Sequence, residues 1–344
     1  MVLDAPPMEN PPTRILIIDT AWLGDVVFTT SLLGAVRKAW PKAELHALVA
    51  PRGESILRNH PYLNRLWVFD KHGSDRSAAS LWRLASKLRA AGFECVLNAH
   101  PSFRSRLLTF LTHAPVRVGY RGFGDGIFLT YRVQNDLAVE PDHVKRRIAL
   151  LKALVPEAEP APLLVEVSPE EIKWSERFIK ENKGNDKPLL ALIPGSAWET
   201  KRWPSQYFAE LAAKWIIERD GFVVVIGGSR EQKIISEISA RSPRILPFIN
   251  QPIPRVAALL SRCNVVVGND TGVSFLAVAA GAQRVLILYG CTQVDYALPS
   301  PHQAITAGVP CCLPRTGHGA HRCRWSDQPW CMQQISVDRV WNLI

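Results

Sequence analysis

Twice along the chain, short apolar runs alternate with longer stretches whose apolar residues recur at helical spacing. That rhythm predicts parallel strands covered on both faces by helices, because a strand reaches a parallel neighbour only through a crossover. In the first half "RILIID" (14–19), "ELHALVA" (44–50), "LWVFD" (66–70), "FECVLNA" (93–99) and "VRVGY" (116–120) read as strands. Val26, Val27, Thr30, Leu33, Val36 and Trp40 mark one helix face, and Leu81, Leu84, Ala85 and Leu88 another. A short helix is read near Glu54 to Asn59.

From about Pro141 to Lys187 the rhythm weakens into a Pro-rich stretch, then a charged helix, then "ENKGNDKP", read together as the connection. It restarts with "LLALIPG" (189–195), "FVVVIGG" (222–228), "NVVVG" (264–268) and "RVLILYG" (284–290), separated by helical patterns. The expected organisation is a flexible arm over 1–13, a first domain over 14–165, a linker over 166–187 and a second domain over 188–344. The fold class expected is α/β, with two doubly wound, Rossmann-like domains facing across a cleft. In such folds ligands bind outside the carboxyl ends of the strands.

Charge narrows the ligand. A net charge of +10 and a pI near 9.4 point to an anionic partner, or serve solubility alone. The basic residues are dispersed, without an aromatic-interleaved stripe, which argues against nucleic acid. No apolar run approaches the roughly 18–20 residues of a membrane-crossing helix. The opening "MVLDAPPMENPPTR" is polar and Pro-rich, unlike a secretory signal, so a cytoplasmic location and reduced thiols are expected for the seven cysteines.

Four places can carry chemistry. In "WLGDV", Gly24 permits a tight strand-to-helix turn and Asp25 opens the helix. Asp25 reads as a helix N-cap or as an ionised carboxylate able to accept a hydroxyl proton. In "PGSAWETKRWP" (194–204), Ser196 and Thr200 offer hydroxyls and Lys201 and Arg202 offer cations suited to a pyrophosphate; the alternative is an exposed basic loop. In "VVVGNDTGVSFLAVAAG" (265–281), Asp270, Thr271 and Gly272 lie where a strand meets a helix N-terminus, a phosphate-binding position or simply a cap. In the tail, Cys311, Cys312, Cys323 and Cys331 cluster with His318 and His321 between them. Their spacings fit no common zinc template, so a loop packed by small thiols is the main reading and metal the lesser one. No P-loop, no G-x-G-x-x-G after the first strand, no D-x-D and no G-x-S-x-G occurs.

These pieces, in this order, resemble glycosyltransferase family 9, the lipopolysaccharide heptosyltransferases. The resemblance lies in "LGDVVFTTSLLGAVRKAWP", "PGSAWETKRWPSQYFAELA", "VVGNDTGVSFLAVAAG" and the tail "CRWSDQPWCMQQISVDRV". It implies a GT-B fold, an acceptor-binding first domain and a second domain binding a nucleotide-sugar donor. It further implies inverting transfer of heptose from ADP-heptose to the lipopolysaccharide inner core, with no cofactor required. By the same resemblance Asp25 matches the general base, Lys201 the lysine on donor phosphate, and Asp270–Gly272 the donor turn. Ser229 or Glu231 stands where the family has an acidic ribose contact. Arg52, Arg104, Arg106 and Arg121 are the candidates to meet an anionic glycolipid at the inner membrane surface, or are solvated surface charges. Phe275 stands where the family often has His, and the spacing of the tail's first cysteines departs from the usual. The alternatives are a relative using another nucleotide sugar or a protein acceptor, and a non-catalytic nucleotide- or glycan-binding module.

Overall fold

The computed structural model describes residues 10–122, 124–136, 139–183, 187–292, 294–309, 323 and 329–344. The chain divides into two compact units between Glu166 and Val167.

The first unit holds β1 (Arg14–Asp19), α1 (Leu23–Ala39), β2 (Glu44–Val49), α2 (Pro51–Leu57), β3 (Arg65–Val68) and α3 (Ala78–Ala90). These are followed by β4 (Cys95–Asn98), α4 (Phe103–Leu111), β5 (Val116–Tyr120), α5 (Asp125–Phe128), β6 (Tyr131–Val133) and α6 (His143–Lys152). All strands pair in parallel, in the order β3-β2-β1-β4-β5-β6. Central β1 is solvent-free from Ile15 to Asp19, which is why it reads as one continuous apolar run. Right-handed crossovers put α1 and α2 on one face and α3, α4 and α5 on the other. Leu84, Ala85, Leu88 and Leu108 of α3 and α4 pack with Leu16, Ile18, Leu48 and Val96 of the sheet. On the opposite face α6 packs against α1.

The second unit begins with α7 (Pro169–Lys183). Then come β7 (Leu189–Ile193), α8 (Ser205–Arg219), β8 (Phe222–Gly227), α9 (Gln232–Ser239), β9 (Ile245–Ile249), α10 (Ile253–Leu260), β10 (Val265–Asn269) and α11 (Gly272–Ala279). β11 (Val285–Tyr289), β12 (Gln303–Thr306), α12 (Trp330–Gln333) and α13 (Val337–Trp341) complete it. Its parallel sheet runs β12-β11-β10-β7-β8-β9, the same winding as the first. Leu190, Leu192, Val223 and Val225 pack there with Phe208, Leu211, Trp215 and Met332.

The sequence expectations need two corrections. The charged helix read as part of the linker is α7, and it belongs to the second unit: Trp174 and Phe178 pack on Phe248, and Glu171 pairs with Arg255 of α10 at 3.4 Å. The weakened stretch after Pro141 contains α6, capped by Asp142, whose carboxylate accepts from the Val144 and Lys145 amides at 2.8 and 3.0 Å. Its apolar stripe is interrupted by Arg147, which points inward.

In each sheet the strand order reverses between the first and fourth strands, at β1/β4 and at β7/β10. Those switch points open crevices at the strands' carboxyl ends. Asp25 follows β1, Ser196 to Arg202 follow β7, and Asp270 to Gly272 follow β10.

One buried group sets an acid limit on stability. His60 is 3% exposed; its Nδ1 accepts the Tyr62 amide at 3.4 Å, and its Nε2 has no partner among the described residues. Burial pulls its pKa from 6.5 down to about 4. The neutral ring is therefore fully accommodated above pH 6.5, and stability is lost as pH falls from there toward about 4. The expected loss is about 3 kcal/mol. His60→Leu should flatten that portion of the profile, read from urea midpoints across the window; an unchanged acid slope would refute the assignment.

Candidate active site

At the first switch point the chain leaves β1 with Asp19, fully buried, accepting from the Ala21 amide at 3.1 Å and the Thr29 hydroxyl at 2.6 Å. Trp22 is the N-cap of α1; Gly24 and Asp25 lie in its first turn. Asp25 is thus not the cap itself but the third helical residue, its Oδ2 accepting the Trp22 amide at 3.3 Å. That arrangement satisfies an orphan amide and leaves the carboxylate at the crevice.

Arg147 of α6 ties this turn together. Its Nη2 lies 2.9 Å from Asp25 Oδ1 and 3.2 Å from Asp19 Oδ2, while its Nε donates to Thr29 Oγ1 at 2.9 Å. The Arg147 side chain is 4% exposed and that of Asp25 26%, so solvent still reaches one edge of Asp25. Burial pushes the Asp25 pKa up, but the Arg147 and His143 charges and the hydrogen bonds from Arg147 and Trp22 outweigh it and hold the carboxyl below its ordinary value. Burial works against the Arg147 charge too, yet Asp19 and Asp25 raise its pKa further. His143, one helical turn before Arg147, stacks on Phe28 at 5.0 Å with its Nδ1 3.9 Å from Asp25.

From β4 comes His100, whose Nδ1 lies 2.8 Å from the Thr20 hydroxyl. Burial lowers its pKa, against the pull of Asp19 and Asp25. Lys71 Nζ donates to Thr20 O at 3.2 Å, and Arg104 donates to Lys71 O at 3.0 Å. Arg52 stands 5.3 Å over the Trp22 ring. Arg121 is exposed just after β5. Arg106 is different: it is buried, and its Nη2 donates to Tyr120 O and Arg121 O at 3.2 and 3.4 Å, so its role is structural.

At the second switch point Asn269 clamps the loop after β7, accepting the Trp203 amide at 2.9 Å and donating to Pro194 O at 2.8 Å. The loop carries a single turn, Glu199–Lys201. Lys201, read from the sequence as a cation suited to pyrophosphate, is paired with Asp270. Its Nζ is 2.5 Å from Asp270 Oδ2 and 4.8 Å over the Trp198 ring. Thr292 Oγ1 donates to the same Asp270 oxygen at 2.8 Å. Burial and the Asp295 charge push the Asp270 pKa up, and Lys201 and Thr292 pull against them. Asp270 is no cap; that position of α11 is Thr271, with Gly272 the first helical residue. Arg202 donates twice to Ser196 O, at 3.1 and 2.8 Å, and the Ser196 hydroxyl donates to Asp270 O at 3.4 Å. Thr200 is buried.

Beside this cluster lies a pocket of about 370 Å³ at the carboxyl ends of β7, β8 and β9. Ile193, Ile226, Ile253, Val256 and Val273 give it apolar walls; Ser196, Arg202, Thr271, Asn250 and Glu231 give it polar points. Apolar walls with a few convergent polar groups suit a planar base and its sugar. Glu231 is seated by close backbone approach: a Cβ on Gly195 would stand 2.7 Å from its Cγ. Its Oε2 accepts the Gly228 amide at 3.0 Å. Ser229 is not among the lining residues.

Phe275 is buried in α11, its ring 6.4 Å from that of Tyr296. Cys331 is buried in the second core and Cys323 is half-buried, while Cys311 and Cys312 lie outside the described residues. Among the described residues no three His, Cys, Asp or Glu side chains gather to hold a metal.

Sequence reasoning missed Arg147, His143, His100 and Lys71. For the first two a signal existed: Pro-Asp ahead of "HVKRRIALLK" is a helix start, and residues four apart share a face.

Two doubly wound units of this kind match the GT-B architecture. The family model for glycosyltransferase family 9 (heptosyltransferase) matches residues 81–313 of the 344. The chain belongs to that family, and it is a glycosyltransferase. It is 28% identical over 319 residues to lipopolysaccharide heptosyltransferase 2 of Escherichia coli K12, covering 85% of this chain and 86% of the relative. A solved family 9 glycosyltransferase from Veillonella parvula superposes with a TM-score of 0.79 at 26% identity, over 87% of this chain and 86% of that one. The structure of E. coli ADP-heptose lps heptosyltransferase II shares the fold at a TM-score of 0.75 and 23% identity, over 96% and 98%.

Proposed function

We propose that the protein transfers heptose from ADP-heptose to a lipopolysaccharide inner-core acceptor, inverting the anomeric centre. What supports this reading is that each unit carries one half of the chemistry: a carboxylate kept ionised by Arg147 in the first, and a pocket of apolar walls and polar points beside the Lys201–Asp270 pair in the second.

In one displacement the acceptor oxygen bonds to the anomeric carbon as the bond to the donor phosphate oxygen breaks. The leaving electron pair goes to the diphosphate, and the hydroxyl proton goes to Asp25. Asp25 receives it once bond formation has made the hydroxyl acidic, so a low carboxylate pKa is no handicap. Lys201 and the amides at Thr271 and Gly272 take the charge of the leaving diphosphate. Asp270 aims Lys201 at that position. Glu231 takes the ribose hydroxyls and the apolar walls take the base. Lys71, Arg52, Arg104 and Arg121 meet acidic groups of the acceptor. The working place is the cytoplasmic face of the inner membrane, where the acceptor lies. Among the described residues no helix is long and apolar enough to cross a membrane, and the association proposed is peripheral.

The test is turnover with a panel of nucleotide sugars, scored by released diphosphate nucleotide. ADP-heptose should be consumed in the presence of acceptor, and Lys201→Ala should cut kcat by about 10²-fold, the loss typical of removing one group that stabilises developing charge. Turnover of another donor, with none of ADP-heptose, would overturn the donor assignment. Binding without release of ADP would favour a non-catalytic module.

A further inference from the structure

The layer formed by α3, α4 and α5 carries an outer surface whose exposed apolar residues the transfer chemistry does not use. Trp82 on α3 and Phe103 at the start of α4 are each 63% exposed, and Ile127 on α5 is 68% exposed. Phe110 is 38% exposed. The aromatic members touch: the Phe128 ring lies 5.9 Å from Phe103 and 6.1 Å from Phe110. α4 packs on both α3 and α5, so these side chains belong to one helical layer. Trp82, Phe103 and Ile127 all sit near the strands' carboxyl ends, the edge that also carries Asp25.

The charge around them is predominantly positive; the one acidic side chain on the three helices, Asp125 of α5, stands 3.9 Å from Arg132. Neither α3 ("AASLWRLASKLRA") nor α4 ("FRSRLLTFL") contains an acidic residue. Arg83, Lys87 and Arg89 are exposed on α3, Arg104 is half-buried on α4, and Arg121 is exposed beside α5. None of these five forms an ion pair among the described residues. A water-facing surface normally mixes both signs and avoids clustered large apolar groups. Aromatic and aliphatic tips amid unpaired cations match the interface of an anionic bilayer, where apolar groups enter the acyl boundary and cations meet headgroup phosphates.

We infer that the outer face of α3, α4 and α5 docks the enzyme on anionic phospholipid, beside the edge that carries Asp25. The inference rests on the transfer reading only in that a bilayer-anchored acceptor gives such docking its use. It orients the Asp25 edge toward headgroup-level sugars, and the acceptor need not leave the membrane.

The experiment is vesicle co-sedimentation of the full chain. Vesicles of phosphatidylglycerol with phosphatidylcholine should capture it, pure phosphatidylcholine should not, and salt should weaken capture. Trp82→Ser, Phe103→Ser and Ile127→Ser combined should lower the partition coefficient at least about tenfold. Arg83→Gln, Lys87→Gln and Arg89→Gln should each cost about fivefold. Ile217→Ser, an 80% exposed control in the second unit, should change nothing. All these sites are exposed, so unfolding midpoints should hold. The apolar triple variant should keep wild-type transfer to a de-acylated, water-soluble acceptor and lose transfer to the same acceptor acylated in vesicles. Wild type that ignores anionic vesicles, or a triple variant that binds like wild type, overturns the docking face. So does self-association of wild type that the triple variant abolishes, since a second copy would then cover this face. If transfer to the soluble acceptor fails while anionic vesicles still capture the protein through these residues, the transfer reading falls and the docking face stands.

Discussion

Replacing Asp25 by Asn should lower kcat for heptosyl transfer by about 10²–10⁴-fold, the contribution of a positioned general base, and leave ADP-heptose affinity unchanged. Asparagine has the same shape, and its carbonyl oxygen still accepts the Trp22 amide now 3.3 Å from Asp25 Oδ2. Its amide NH2 then faces Arg147 Nη2, now 2.9 Å from Asp25 Oδ1, so the variant loses that ion pair together with the ability to take a proton. The pocket proposed for the donor lies at the carboxyl ends of β7 and β8, with Asn250 after β9 and residues of α10 and α11, and shares no residue with the Asp25 cluster, so donor binding serves as the internal control. Single-turnover transfer and calorimetric titration with ADP-heptose separate the two effects. A variant that loses donor binding and transfer together would mean that Asp25 acts by holding the structure rather than by accepting a proton.

The largest effect on stability should come from Arg147→Met, at about 3–5 kcal/mol, because it strands a buried partner. Asp19 is fully buried, and without Arg147 its only remaining hydrogen bonds among the described residues are from Thr29 and the Ala21 amide. Methionine fills much of the arginine stem's volume, so the loss reports charge and hydrogen bonding rather than a cavity. Arg147→Lys should recover only part of it, since an ammonium cannot span Asp19, Asp25 and Thr29 as the guanidinium does. Adding Asp19→Asn to Arg147→Met removes the stranded charge and should restore a share of the stability, a coupling that a double-mutant cycle measures. Activity carries a second signature. Without Arg147 the Asp25 carboxyl loses the charge that holds its pKa down, so the acid limb of kcat/KM should move to higher pH in any variant that still turns over. A loss below about 1 kcal/mol with an unmoved acid limb would remove Arg147 from the account.

What the sequence revealed, and what it hid, follows from where each residue points. β1, β2, β7, β8, β10 and β11 are parallel strands with near-continuous burial, so each appears as a largely apolar run, broken in β2 only by His46. β6, β9 and β12 are edge strands: β6 has three residues, β9 carries Pro247, and β12 is largely half-exposed. Their patterns merge with loop. α6 was hidden because its inward face carries Arg147, a charge in a core position that breaks the apolar period. The break has a structural reason, since the arginine pairs there with Asp19 and Asp25. Lys201 was legible as a cation, but its partner Asp270 lies 69 residues away, and no local pattern announces such a pair. Ser229 and Glu231 differ by two positions on one tight turn, and only the backbone course decides that Glu231 faces the pocket.

The most direct test is mass spectrometry of an inner-core acceptor after incubation with ADP-heptose, read together with ADP release and the anomeric configuration of the product. The prediction is that wild-type protein adds one heptosyl unit per ADP released, with the configuration inverted, and that Asp25→Asn adds none in the same time. An acceptor of unchanged mass with donor intact, or a product of retained configuration, would contradict the assignment of a single displacement with Asp25 as the base.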